Sequence, residues 1–219
     1  MFGNETETRG QFRIKICGIT NAEDALAAID FGADALGFNF FPGSKRYIDI
    51  SSAKDWMAEL PRDVVKVAVL VNPTERQAVE LAQLSFINAL QLHGEESPDF
   101  CRTIAKRGIV FVKALPVRDE NSLREIPSFF TRTIMLDSGQ DFGGSGEAFS
   151  WVFARQFVDA HRELNVVLAG GLTPDNVAAA VRQVRPFAVD VASGVESSPG
   201  RKDCARLQAF IDAARASLL

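Results

Sequence analysis

The strongest constraint in this 219-residue chain is a rhythm. From Arg13 onward, short β-branched or apolar runs alternate with longer segments of helical period, and a chain that alternates in this way builds a parallel sheet covered by helices. Eight extended runs are drawn at 13–17 (RIKIC), 34–39, 64–71, 87–93 (INALQLH), 109–115, 132–137 (RTIMLD), 165–170 (NVVLAG) and 187–193 (FAVDVAS). Helical candidates follow them at 21–31, 51–60, 74–86, 97–108, 120–130, 146–164, 174–184 and 202–219. An open doubly wound sheet is one way to use such units and a closed barrel is the other. Eight units, with no G-x-G-x-x-G fingerprint after the first strand, favour closure, so the expected fold is α/β, a single (β/α)8 TIM barrel.

No low-complexity linker interrupts the alternation. The barrel is therefore expected to span 12–219 as one domain, with the polar residues 1–11 a loose tail outside it. Thr20, Ser51, Thr74, Thr173 and Asp175 stand where helix caps are needed, and Pro174 suits a first helical position. Gly32 and Gly108 stand where helices should stop.

Composition narrows the function classes. Hydrophobic residues at 47% and charged residues at 24% suit a folded soluble domain with a sizeable core. The net charge of −4 lacks the basic face that nucleic acid demands, so an anion site must be local. No run approaches the roughly 18 consecutive apolar residues of a membrane span, and the first residues lack the order of a signal peptide. Three widely spaced cysteines, Cys17, Cys101 and Cys204, suit reduced thiols in a cytoplasm. Neither nucleic acid nor membrane is expected as a partner, and one copy rather than a homodimer is the expected state.

Strand side chains alternate between faces. With Ile14 and Ile16 against the helices, Lys15 and Cys17 turn into the barrel. The same rule turns Gln91 and His93 inward from the fourth strand, Asp137 from the sixth and Asp190 from the eighth. A buried Lys or Asp is costly unless paired, so one reading makes Lys15, Asp137 and Asp190 a scaffold ion network. The other starts from position: Cys17, His93 and Asp137 end their strands at the face where barrel enzymes place catalysis. Lys15, two residues deeper, is expected to support the carboxylates and to favour the Cys17 thiolate rather than touch substrate, while Asp190 is expected among the substrate-binding residues.

Two turns carry a second signal. LAGGLTPDN puts Gly170 and Gly171 after the seventh strand, and ASGVESSPGRKD puts Ser193 and Gly194 after the eighth. Glycines let backbone N–H groups approach an anion, and the loops after strands seven and eight are where barrels hold phosphate. One such turn could be a tight turn and nothing more. Two after adjacent strands favour a bound sugar phosphate, and neither has the form of a nucleotide-triphosphate loop.

KICGIT (15–20), GADALGFNFFPGSKRYI (32–48), LVN (70–72), LQLHGEE (90–96), KAL (113–115), MLDS with GGSGEAFSW (135–151), LAGGLTPDNV (168–177) and VDVASGVESSPGRKD (189–203) occur here in one order. In these motifs, over nearly its whole length, the chain resembles the phosphoribosylanthranilate isomerase family of tryptophan biosynthesis. The resemblance implies a phosphoribosyl substrate and an Amadori rearrangement needing one acid and one base, with no metal and no cofactor. It implies Asp137 as the general acid, Cys17 as the general base and Arg46 as the residue that binds the anthranilate carboxylate. His93 lines the pocket or is merely a packed histidine. Those roles would want a raised carboxyl and a lowered thiol. Two positions depart from the family's habit: Ser150 where an aspartate is common, and Ala192 where a serine is common.

Three rivals remain on the sequence. A related aminoaldose isomerase of histidine biosynthesis would place aspartate at Cys17 and a second phosphate grip where LVNPT stands. A metal-dependent pentose-phosphate epimerase would need ligand residues that a chain with two histidines lacks. A non-catalytic phosphate-binding barrel would have no use for Cys17, Asp137 and Arg46 together.

Overall fold

The computed structural model describes residues 13–117, 128–137 and 151–217. The expected tail at 1–11, most of the helical candidate at 120–130, the start of the one at 146–164 with Ser150, and the last two residues lie outside the described residues.

Eight parallel strands close into a barrel in sequence order: β1 Arg13–Cys17, β2 Ala35–Asn39, β3 Val65–Leu70, β4 Ala89–Leu92, β5 Phe111–Pro116, β6 Thr133–Asp137, β7 Asn165–Ala169 and β8 Ala188–Val191. Closure is made by β1 on β8, where Lys15 stands opposite Asp190. The strand ends differ from the expected spans by no more than two residues. The helices are α1 Ala22–Asp30, α2 Ile50–Glu59, α3 Glu75–Ala82, α4 Pro98–Lys106, α5 Trp151–Ala160, α6 Val177–Val184 and α7 Cys204–Ala216. A short antiparallel hairpin, β9 Glu196–Ser198 and β10 Arg201–Lys202, intervenes between β8 and α7.

The two faces of the strands have different compositions, as alternation requires. Ile14, Ile16, Leu36, Phe38, Leu90 and Leu92, among others, bury outward against the helices in one large core. The barrel's own apolar cluster is small, and all but Met135 are short side chains: Val112, Ala114, Met135, Val167, Ala169 and Ala188. That leaves interior space on the β1, β4, β6 and β8 sides for polar groups.

Several helix starts depart by a residue or two from expectation. Thr20 gives its hydroxyl to Gly200 O, and Asn21 caps α1 by accepting from Asp24 N. Asp49, not Ser51, caps α2. Thr74 caps α3 in a reciprocal box with Gln77, a device worth about 1 kcal/mol. α6 begins only at Val177, so Pro174 precedes the helix. Asn176 accepts from Thr173 N and donates to Gly171 O, binding the turn before the helix rather than the helix itself. Gly32 and Gly108 end α1 and α4 with φ of 99° and 72°, values that a side chain resists. Residues 128–130 of the fifth helical candidate are described and are not helical.

Candidate active site

The C-terminal ends of β1, β4, β6 and β8 bring Cys17, His93, Asp137 and Asp190 to one mouth. At its floor Lys15 Nζ donates to Asp190 Oδ1 at 2.7 Å, both side chains being more than nine-tenths buried. Burial works against the Lys15 ammonium, but Asp190 and Cys17 more than offset it, so Lys15 is raised and stays charged. Lys15 and Asp190 thus form a buried ion pair, while Asp137 meets His93.

Burial pushes the Cys17 thiol above its ordinary value. Lys15 and Lys202 pull it down, while Asp190 reinforces burial. The expectation of a lowered thiol is therefore overturned: burial, with Asp190 adding to it, outweighs the pull of the two lysines. Space around the pair is tight. A Cβ on Gly37, which stands opposite Cys17 in β2, would meet Cys17 Sγ at 2.8 Å and Lys15 Nζ at 2.9 Å. Gly37 is thus required by volume.

Across the mouth, His93 Nε2 lies 3.0 Å from Asp137 Oδ2. On its other side His93 Nδ1 is 2.7 Å from Gln91 Nε2, one step deeper on the same face of β4. The backbone after β4 is fixed from outside the barrel. Lys113 donates to Leu92 O, Gly94 O, Ala114 O and Glu96 Oε2, and Glu96 collects the N–H groups of Asn72 and Gly94.

Arg46, in the loop after β2, lies over Gly18: a Cβ there would come within 2.4 Å of Arg46 Cδ. Its Nε and Nη2 form a two-pronged pair with Glu196 at 2.8 and 2.6 Å. That hydrogen-bonded partner raises the Arg46 guanidinium despite partial burial. Burial works to raise Glu196, but Arg46 and Lys202 outweigh it and leave the carboxylate lowered. Lys202 in turn donates to Cys17 O, Ala192 O and Glu196 Oε1. The β9–β10 hairpin thereby ties together the loops after β1, β2 and β8. Glu196 and Lys202 were not singled out from the sequence. They lie past the last barrel strand, where period-two alternation says nothing, though both fall inside the VDVASGVESSPGRKD motif.

The two glycine turns touch. A Cβ on Gly194 would fall 1.9 Å from Leu172 O, so the segment after β8 packs directly on the segment after β7. Gly170 and Gly171 hold φ of 83° and 63°. Ser193–Val195 form a single 3-10 turn. Because β7 and β8 are the strands between β6 and β1, the turns stand between Asp137 and Cys17 around the rim. No group of three or more His, Cys, Asp or Glu side chains is arranged to hold a metal ion among the described residues. No helix there is long and apolar enough to cross a membrane.

Comparison with known proteins matches this arrangement. A sequence model described as "N-(5'phosphoribosyl)anthranilate (PRA) isomerase" matches residues 14–213. The N-(5'-phosphoribosyl)anthranilate isomerase of Thermotoga petrophila is 45% identical over 204 residues, covering 93% of this chain and 98% of its own. A crystal structure of phosphoribosyl anthranilate isomerase in complex with reduced 1-(o-carboxyphenylamino)-1-deoxyribulose 5-phosphate superposes with a TM-score of 0.79. It is 42% identical and covers 94% of this chain and 100% of its own. A structure of monomers generated from the dimeric enzyme of Thermotoga maritima gives the same TM-score of 0.79, at 42% identity and with coverage of 94% and 100%. The chain belongs to the N-(5'-phosphoribosyl)anthranilate isomerase family.

Proposed function

We propose that this protein converts N-(5'-phosphoribosyl)anthranilate to 1-(2-carboxyphenylamino)-1-deoxyribulose 5-phosphate, an Amadori rearrangement of tryptophan biosynthesis. The observation that carries the reading is the rim order. A carboxyl on β6 and a thiol on β1 flank two abutting glycine turns on β7 and β8, within a chain of this family.

Asp137 gives its proton to the furanose ring oxygen as the C1′–O bond breaks, and the anilino nitrogen's lone pair forms the C1′=N bond of an iminium. Cys17, as thiolate, removes the C2′ proton, and that electron pair moves toward the iminium to give an enolamine. Protonation at C1′, with loss of the C2′ hydroxyl proton to solvent, then yields the ketone at C2′. The iminium's positive charge beside the sulfur, added to Lys202 and Lys15, favours thiolate at the step that needs it. Substrate thus supplies what the resting site withholds.

Gly170, Gly171, Ser193 and Gly194 hold the phosphate through backbone N–H groups. Arg46 meets the anthranilate carboxylate with the edge that Glu196 leaves open, so Glu196 fixes the fork before substrate arrives. Lys15 and Asp190 support Cys17 from below, and His93 lines the pocket beside Asp137. No cofactor enters this scheme. The whole catalytic unit is the barrel from residue 12 to 219, acting in the cytoplasm with residues 1–11 outside it. A single copy contains every group named; sedimentation showing an obligate dimer would replace the monomer.

Purified protein should deplete the fluorescence of freshly generated phosphoribosylanthranilate. Binding of the reduced product analogue without turnover would instead make it a non-catalytic binder and end the proposal.

A further inference from the structure

Gln91 is almost wholly buried inside the barrel, between Val69 of β3 and Val112 of β5. An amide in such a place is expensive. Among the described residues its Oε1 has no hydrogen-bond partner, and an orphaned buried acceptor costs about 1–3 kcal/mol. A methionine or leucine would fill the same volume without that cost. The amide has one polar contact, Nε2 to His93 Nδ1 at 2.7 Å, and His93 Nε2 reaches Asp137 Oδ2 at 3.0 Å. A side chain that costs stability and touches only a residue beside the acid suggests a role in chemistry.

We propose that Gln91 is a positioning residue that holds His93 as its neutral Nε2–H tautomer, so that His93 donates to Asp137 and cannot take the acid's proton. The inference rests on the assignment of Asp137 as general acid in the proposed isomerisation.

Hydrogen bookkeeping gives the reason. An amide N–H pointing at Nδ1 requires a lone pair there, so the single proton of a neutral ring sits on Nε2 and faces the carboxyl. A proton on Nδ1 would meet the amide hydrogen head on, which opposes formation of an imidazolium. Imidazolium beside Asp137 would leave aspartate with nothing to give the ring oxygen. The opposite amide orientation reverses everything. Oε1 would accept from Nδ1–H, Nε2 would carry the lone pair, and a protonated Asp137 would donate to His93 instead of to substrate. The two arrangements are chemically exclusive, which makes the tautomer a clean observable.

The test uses the full chain labelled with 15N-histidine. Long-range 1H–15N spectra distinguish pyridine-like from pyrrole-like ring nitrogens, and a His161→Asn variant assigns His93. In the wild type Nδ1 should be pyridine-like and Nε2 pyrrole-like; the reverse pattern, or an imidazolium, overturns the proposal whether or not the protein turns over. Gln91→Met should keep or raise Tm, since it removes the orphaned acceptor, while the tautomers mix and kcat falls about tenfold with KM little changed. Gln91→Glu should accept from Nδ1–H, convert the spectrum and lower kcat further. Wild-type kcat in Gln91→Met, or an unconverted spectrum and unchanged kcat in Gln91→Glu, makes Gln91 a packing residue. Failure of the wild type to isomerise phosphoribosylanthranilate would end the functional reading separately, with the tautomer still decided by the spectrum.

Discussion

Two of the buried lysine–carboxylate pairs among the described residues stand on opposite faces of the barrel sheet. Lys15 and Asp190 meet at 2.7 Å inside it, with the thiol of Cys17 beside the ammonium and a bare glycine, Gly37, opposite. Lys113 and Glu96 meet at 2.8 Å outside it, under the loop after β4. The outer pair is saturated with backbone: Lys113 donates to three carbonyls besides Glu96, and Glu96 accepts from two backbone N–H groups. The inner pair stands across the β1–β8 seam, and its ammonium reaches the Cys17 thiol. Identical charges, nearly identical distances and similar burial therefore serve different ends, and the neighbours decide which.

If the inner pair serves a reacting thiol, the largest effects lie directly above it. Cys17→Ser and Asp137→Asn should each lower kcat by about 10²–10⁴ with the affinity for the reduced product analogue little changed. Steady-state kinetics with near wild-type kcat in either variant removes that residue from the chemistry. If the outer pair serves the backbone, Lys113→Met should strand a buried carboxylate and cost about 3–5 kcal/mol in urea unfolding. Adding Glu96→Leu should recover most of it. A stable single variant would mean that the loop after β4 does not depend on the pair.

A smaller effect separates the pairs on one axis. With Cys17 as the base of the proposed reaction the working form is the thiolate, and burial raises the thiol, so kcat/KM should climb with pH on a limb lying above the ~8.5 of a free thiol. Lys15→Met removes a downward pull and should move that limb further alkaline; Lys113→Met should leave it in place. Equal displacement by both would erase the distinction drawn between them. The smallest effect is at the rim, where Arg46→Ala should raise KM about tenfold with kcat nearly kept, and Glu196→Gln should do part of the same by loosening the fork. An unchanged KM in Arg46→Ala takes that side chain off the carboxylate.

Most of the barrel was legible in the chain because eightfold repetition leaves few architectures and alternation leaves two faces. Lys15, Cys17, Gln91, His93, Asp137 and Asp190 all turn inward as their spacing requires. Lys113 was not legible as structural. It lies on the helix-facing side with Phe111 and Leu115, and its partners are a loop carboxylate and carbonyls that no strand pattern places. The direction of the Cys17 shift was misread for a related reason. Adjacency to a lysine is visible in RIKIC, but the opposing charge of Asp190 and the weight of burial arise only when β1 meets β8. Thr20 and Ser51 lost their expected capping roles to Asn21 and Asp49: Thr20 gives its hydroxyl to Gly200 O, and the amide oxygen of Asn21 and the carboxylate of Asp49 stand at the cap positions.

The closure of β1 on β8 also sets when this protein can first act. Lys15 and Asp190 are 175 residues apart in the chain, and Lys202 reaches the carbonyl of Cys17 across 185. On a ribosome the thiol is made well before its electrostatic surroundings. A nascent chain carrying Cys17 thus has no inner pair, no hairpin and no fixed Arg46. The charged groups that surround this thiol assemble around it only after β8 and the hairpin have been made.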